Sequence, residues 1–108
     1  MRKAKDVKPK KWQEITVLFD DGVYSVISGR YERGQHFVLG ERWNGNADHP
    51  LGFPNVAGRP IWHVVPDFLT IPVLEGLLAD QKRKRSQFNG NPEKIRIEIR
   101  RQHQHPPK

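Results

Sequence analysis

The sequence has no cysteine, which excludes disulfides, a thiolate nucleophile and the thiolate-based zinc sites of small structural domains. It has no apolar run near the roughly 18 residues that a membrane-crossing helix needs. The opening MRKAKDVKPKKW lacks the apolar stretch that follows the charges of an export signal. These absences predict a soluble, unexported chain, cytoplasmic and without a membrane partner. Catalytic patterns are missing too. Ser25, Ser28 and Ser86 lack a glycine-flanked elbow, and no glycine-rich phosphate loop precedes a helix. His36, His49, His63, Glu41 and Asp48 are the raw material for a metal or acid-base site, but they show no recognised ligand spacing, and His103 and His105 fall in a terminal tail. The expectation is a non-enzymatic protein with no cofactor and no metal.

What remains is a 108-residue chain that is 35% apolar and 9% aromatic, enough for one small core. Its net charge of +7 is unevenly spread. Residues 1–13 carry six positive charges and one negative, residues 14–81 four and nine, and residues 82–108 nine and two. The stretch most apt to fold is therefore acidic, and its flanks are basic. Residues 1–12 have only Val7 and Trp12 as sizeable apolar groups, which cannot offset roughly 1–2 kcal/mol per ordered residue. They are expected to form a basic flexible tail, followed by one α+β domain over 13–100 and a second tail over 101–108.

EITVLF (14–19) is rich in β-branched and aromatic residues and stops at Asp20-Asp21-Gly22, a short-turn signal. The return strand, 23–32, puts Val23, Ser25, Ile27 and Gly29 on one face and Tyr24, Val26, Ser28 and Arg30 on the other. A turn at Glu32–Gln35 leads into a third strand, His36–Trp43. Gly29 and Gly40 lie inside strands, where glycine marks a bulge, a bend or close backbone approach, and they suggest a curved sheet. Asn44 to Pro60 is turn chemistry throughout, and IWHVV (61–65) reads as a fourth strand, with His63 in the core or half-buried. Asp67 or Thr70 caps one helix, which tolerates Pro72 in its first turn if Thr70 is the cap. Its apolar face is Ile71, Val73, Leu74, Leu77 and Leu78. KIRIEIR (94–100) alternates Ile95, Ile97 and Ile99 with charged residues and predicts a half-buried strand, with a helix opening at Pro92 as the second choice. The expected fold is α+β: a curved antiparallel sheet of four to five strands, ordered β-β-β-loop-β-α-β, with one helix packed on it.

Two surfaces are candidates for function. The first is basic: Lys82, Arg83, Lys84 and Arg85 at the helix end, with Arg96, Arg100 and Arg101 on the final strand, placed to contact DNA or RNA phosphates. The second is the Gly/Pro/aromatic loop over 43–62, where Trp43, Phe53 and Trp62 offer stacking surfaces or a protein-binding face. The leading expectation is a binding domain for nucleic acid. The alternative is a protein-interaction or inhibitor module using the loop, and a homodimer formed through the last strand's edge is compatible with either. A small-ligand carrier, with the loop closing a pocket over the sheet, is a third reading.

Overall fold

The computed structural model describes residues 3–83 and 87–104. A short 3-10 turn, Ala4–Asp6, precedes β1 (Trp12–Asp20), β2 (Tyr24–Tyr31) and β3 (Phe37–Trp43). Two minimal strands, β4 (Asn55–Val56) and β5 (Arg59–Pro60), form a separate hairpin, and β6 (His63–Val64) returns to the main sheet. Helices α1 (Asp67–Arg83) and α2 (Pro92–Gln104) complete the chain. The main sheet is antiparallel in the order β1-β2-β3-β6. The α+β class holds, with two helices where one was expected.

The β1–β2 turn forms as its residues dictate. One carboxylate oxygen of Asp21 accepts from the amides of Val23 (2.9 Å) and Tyr24 (2.8 Å), and Gly22 supplies a φ of +88°. Both faces of β2 are covered, so Ser25, Val26, Ile27, Ser28 and Gly29 are all buried. On one face Leu18, Phe19, Val26, Leu39 and Val65 meet Leu74 of α1 and Ile95 of α2. On the other, Ile27 packs with Trp12, Trp62, Ala4 and Val7.

This second core corrects the expectation that residues 1–12 stay outside the body: Ala4 is 0% and Val7 3% exposed. Hydrogen bonds over long sequence distances hold the segment, two of them at its buried residues. Trp62 Nε1 donates to the Val7 carbonyl (2.9 Å), and the Ala4 amide donates to Asp20 Oδ2 (2.9 Å). The two glycines singled out in the strands serve the same core. A Cβ on Gly40 would lie 2.9 Å from the Trp12 ring, so the indole lies flush only on a residue without a side chain.

The strand expected over 94–100 is instead the middle of α2. The start signals outweigh the alternation: Asn91 Oδ1 accepts from the Lys94 amide (3.0 Å), Pro92 takes the first helical position, and Glu93 faces the positive end of the helix dipole. In the helix Ile95, Glu98 and Gln102 are buried, while Ile97 is 40% exposed. The edge strand proposed for dimerisation is thus absent. Residues 89–91 lie along the end of β1, with Asp20 N to Asn89 O at 3.2 Å and Asn91 N to Leu18 O at 3.0 Å. Residues 101–104, expected to open a C-terminal tail, instead continue α2, with Gln102 buried; the rest of that expected tail lies outside the described residues.

The two assignments of 94–100 make different demands on isoleucine. Ile95→Ala is expected to cost about 2–5 kcal/mol of unfolding free energy, whereas Ile97→Ala costs less than about 1 kcal/mol in a urea titration. Equal losses at both positions would return the segment to a strand with its isoleucines on one face.

Candidate functional site

The described basic residues picked out from the sequence sit on two elements, the end of α1 and α2. Lys82 and Arg83 end α1 and are exposed, with Arg83 3.5 Å from Asp80; Lys84 and Arg85 lie outside the described residues. Arg96 and Arg100 are exposed on α2 one turn apart, and neither makes an ion pair with another described residue. Arg101 has a different setting. Its guanidinium lies 3.8 Å from the Phe37 ring centroid and 3.0 Å from Glu98 Oε1, and Gln102 Nε2 donates to both Glu98 (2.9 Å) and the Phe37 carbonyl (2.8 Å). That cluster ties the end of α2 to the start of β3 and satisfies a buried carboxylate. Beside it is a hollow of about 610 Å³ bordered by His36, Phe37, Ile97, Arg100 and Gln104.

The three loop aromatics divide between two sides. Trp43 and Phe53 are 56% and 48% exposed and are paired by backbone hydrogen bonds of 2.8 and 2.9 Å. Tyr24 lies against Trp43 at 5.2 Å between ring centroids and donates its hydroxyl to Glu41 (2.8 Å). Burial, the hydrogen bond to Glu41 and the charge of that carboxylate together push the Tyr24 phenol far above its usual value. His63 is exposed rather than set in the core, with Nδ1 3.7 Å from Glu41. Trp62, by contrast, is 3% exposed and belongs to the second core.

The loop between these aromatics is organised by Arg42, a buried residue of β3. Nη1 donates to the Ile61 carbonyl at 3.0 Å, and Nη2 donates to the Leu51 carbonyl. One guanidinium thus fixes both arms of a long connection, and its charge lies 5.9 Å from the Trp62 ring centroid. Gly52 is required where the arms converge, because a Cβ there would meet the Trp43 carbonyl at 2.1 Å and Nη2 of Arg42 at 2.6 Å. Phe53–Pro54 is a cis peptide.

The third surface lies where the loop was expected to close a pocket over the sheet, but its basic wall from residues 8–11 was not anticipated from the sequence. A cleft of about 660 Å³ separates the 8–11 segment from the β4–β5 hairpin. Its floor includes Trp12, Tyr31, Ile61 and Trp62, and its rim carries Lys8, Lys10, Lys11 and Arg59. The only sequence signal for it was the density of lysine before Trp12. Nothing local indicated that this segment folds back beside Arg59.

A polar knot next to the β1–β2 turn fixes the N-terminal segment. Asp20 accepts from the amides of Ala4 and Gly22, each at 2.9 Å, and from Asn44 Nδ2 at 2.8 Å; Ser25 Oγ donates to Asn44 Oδ1 at 2.6 Å. Burial alone would raise the Asp20 carboxyl, but the hydrogen bonds from Ala4, Gly22 and Asn44 outweigh it and hold the group below its ordinary 3.8. No group of three or more His, Asp or Glu side chains converges on a metal-sized site among the described residues. No helix among them is long and apolar enough to cross a membrane.

Comparison of the chain with protein-family models, with curated proteins and with solved structures returned no match.

Because the folded-state pKa of Asp20 is depressed, its contribution to stability is present above the unfolded value of 3.8 and is lost as pH falls through the folded value. The stability difference between the native chain and Asp20→Asn is therefore expected to shrink from about pH 5 to about pH 2 in urea titrations. A difference that is flat across that range would remove the carboxylate from this role.

Proposed function

We propose that the protein is a non-enzymatic binding domain that attaches to nucleic acid through the outer face of α2 and the end of α1. The observation that carries this reading is the pair Arg96 and Arg100. Both are exposed, one helical turn or about 6 Å of rise apart, and free of ion pairs with other described residues. Lys94 on the same helix and Lys82 on α1 are likewise exposed. Lysine and arginine arrayed along a helix neutralise phosphates and release counterions, giving attachment that is insensitive to sequence and sensitive to salt. Arg101 serves this surface indirectly, since its bonds to Glu98 and its stacking on Phe37 hold the helix end in place.

A second reading, a protein-interaction or inhibitor module, is favoured by a separate observation. Val23, Trp43 and Phe53 are large, apolar and 48–60% exposed, and the Trp43–Phe53 backbone pairing holds two of them side by side. Aromatic side chains held on a rigid backbone are the usual anchors of protein interfaces.

Anisotropy titrations with duplex DNA and duplex RNA distinguish the two. Affinity should fall steeply between about 50 and 200 mM salt, and Arg96→Gln with Arg100→Gln should reduce the slope of log K against log salt by about 2. An unchanged slope rejects the α2 surface. Loss of a protein partner on Trp43→Ala, with nucleic-acid binding absent, would select the second reading.

A further inference from the structure

The cleft between the 8–11 segment and the β4–β5 hairpin combines two features: a buried aromatic floor and a rim of unlike origin but like charge. Trp12 and Trp62 are 6% and 3% exposed, so they shape the bottom of the cleft without being displaced from it, while Tyr31 and Ile61 are half-buried beside them. Lys8, Lys10 and Lys11 come from one end of the chain and Arg59 from the hairpin, and all four are exposed. Lys11 shares its charge with Glu32 at 3.6 Å. Lys8, Lys10 and Arg59 have no ion pair with another described residue, which leaves three cations over an apolar trough.

The volume of about 660 Å³ lies within the range of roughly 300–1,000 Å³ typical of sites that enclose a small organic molecule. The side walls have fixed anchors. On one side Trp62 Nε1 bonds the Val7 carbonyl at 2.9 Å, and on the other the Ile61 amide bonds the Pro54 carbonyl at 3.2 Å while Arg42 holds the Ile61 carbonyl at 3.0 Å. The cleft is therefore built into the fold, and it is assembled from segments about fifty residues apart in sequence.

We propose that this cleft binds one amphipathic organic anion. Its apolar body, a medium-length acyl chain, lies over Tyr31, Ile61 and the edges of Trp12 and Trp62, and its anionic head group is held by Lys8, Lys10 and Arg59. Apolar walls give affinity through burial, and the cations give the sign preference, since a positive head group would be desolvated next to three like charges. This surface is distinct from the α2 face proposed for nucleic acid, so either can fail without the other.

The test is a titration of the full-length chain with laurate, lauryl phosphate and dodecyltrimethylammonium, below their micelle concentrations and at neutral pH. Binding is followed by calorimetry and by the three indole N–H signals in proton–nitrogen NMR spectra. Laurate and lauryl phosphate should bind at one site and move the Trp12 and Trp62 signals while leaving Trp43 unmoved. The cationic homologue should bind at least tenfold more weakly, and removing two methylenes from laurate should weaken it about tenfold. Combined Lys8→Ser, Lys10→Ser and Arg59→Ser should weaken laurate at least tenfold. Val56→Glu, a change at an exposed position on the cleft wall, should weaken laurate while sparing the cationic homologue. Equal binding of both head-group signs, insensitivity to these variants, or movement of the Trp43 signal alone would overturn the proposal. The relative affinity of laurate and lauryl phosphate identifies which head group the cations favour.

Discussion

The indole N–H of Trp62 donates to the Val7 carbonyl across 55 residues of chain, and much of the molecule's layout follows from that contact. A four-stranded sheet has two faces, and two helices cover one of them. Left open, the other would expose Ile27 and the rings of Trp12 and Trp62, apolar surface that water penalises at roughly 25 cal/mol per Å². The N-terminal segment closes it by inserting Ala4 and Val7. Trp62 can serve as the anchor because Arg42 fixes the Ile61 carbonyl just before it and the Leu51 carbonyl on the opposite arm of the loop. Asp20 secures the other end by accepting the Ala4 amide.

The same arrangement explains where the charges lie. The central stretch is rich in acidic residues, yet many of its carboxylates are occupied within the fold. Glu14 pairs with Arg30, Glu32 with Lys11, and Asp80 with Arg83, while Asp20 is satisfied by amide donors. Cations on α2 and around the cleft remain turned to solvent. The acidic body and basic flanks of the linear sequence thus become, in three dimensions, a body whose carboxylates are largely paired at its surface, with cations left exposed on α2 and around the cleft.

Where local chemistry decides structure, the sequence was readable. Asp20-Asp21-Gly22 specifies its turn through the Asp21 side chain, strands β1 to β3 follow β-branched and aromatic density, and α1 follows its 3.6-residue apolar period. Residues 94–100 were misread because isoleucine at every second position fits a strand, whereas Asn91 and Pro92, outside that window, set a helix in which Glu98 turns inward between Arg101 and Gln102. The first twelve residues were misread for a different reason. Their apolar content is too small to form a core of their own, and it suffices only because Trp12, Ile27 and Trp62 supply the rest. Of the candidate site residues, Trp43 and Phe53 are paired at the surface, whereas Trp62 lies in the second core. The cleft rests entirely on long-range approach, which no window of sequence contains.

The most direct test of the account is removal of residues 1–8, followed by urea unfolding and tryptophan emission. If the segment is the second face's cover, stability falls by about 2 kcal/mol or more from lost burial and two lost hydrogen bonds, and emission shifts to the red as water reaches Trp12 and Trp62. A truncated chain with the full-length midpoint and an unshifted spectrum would contradict it.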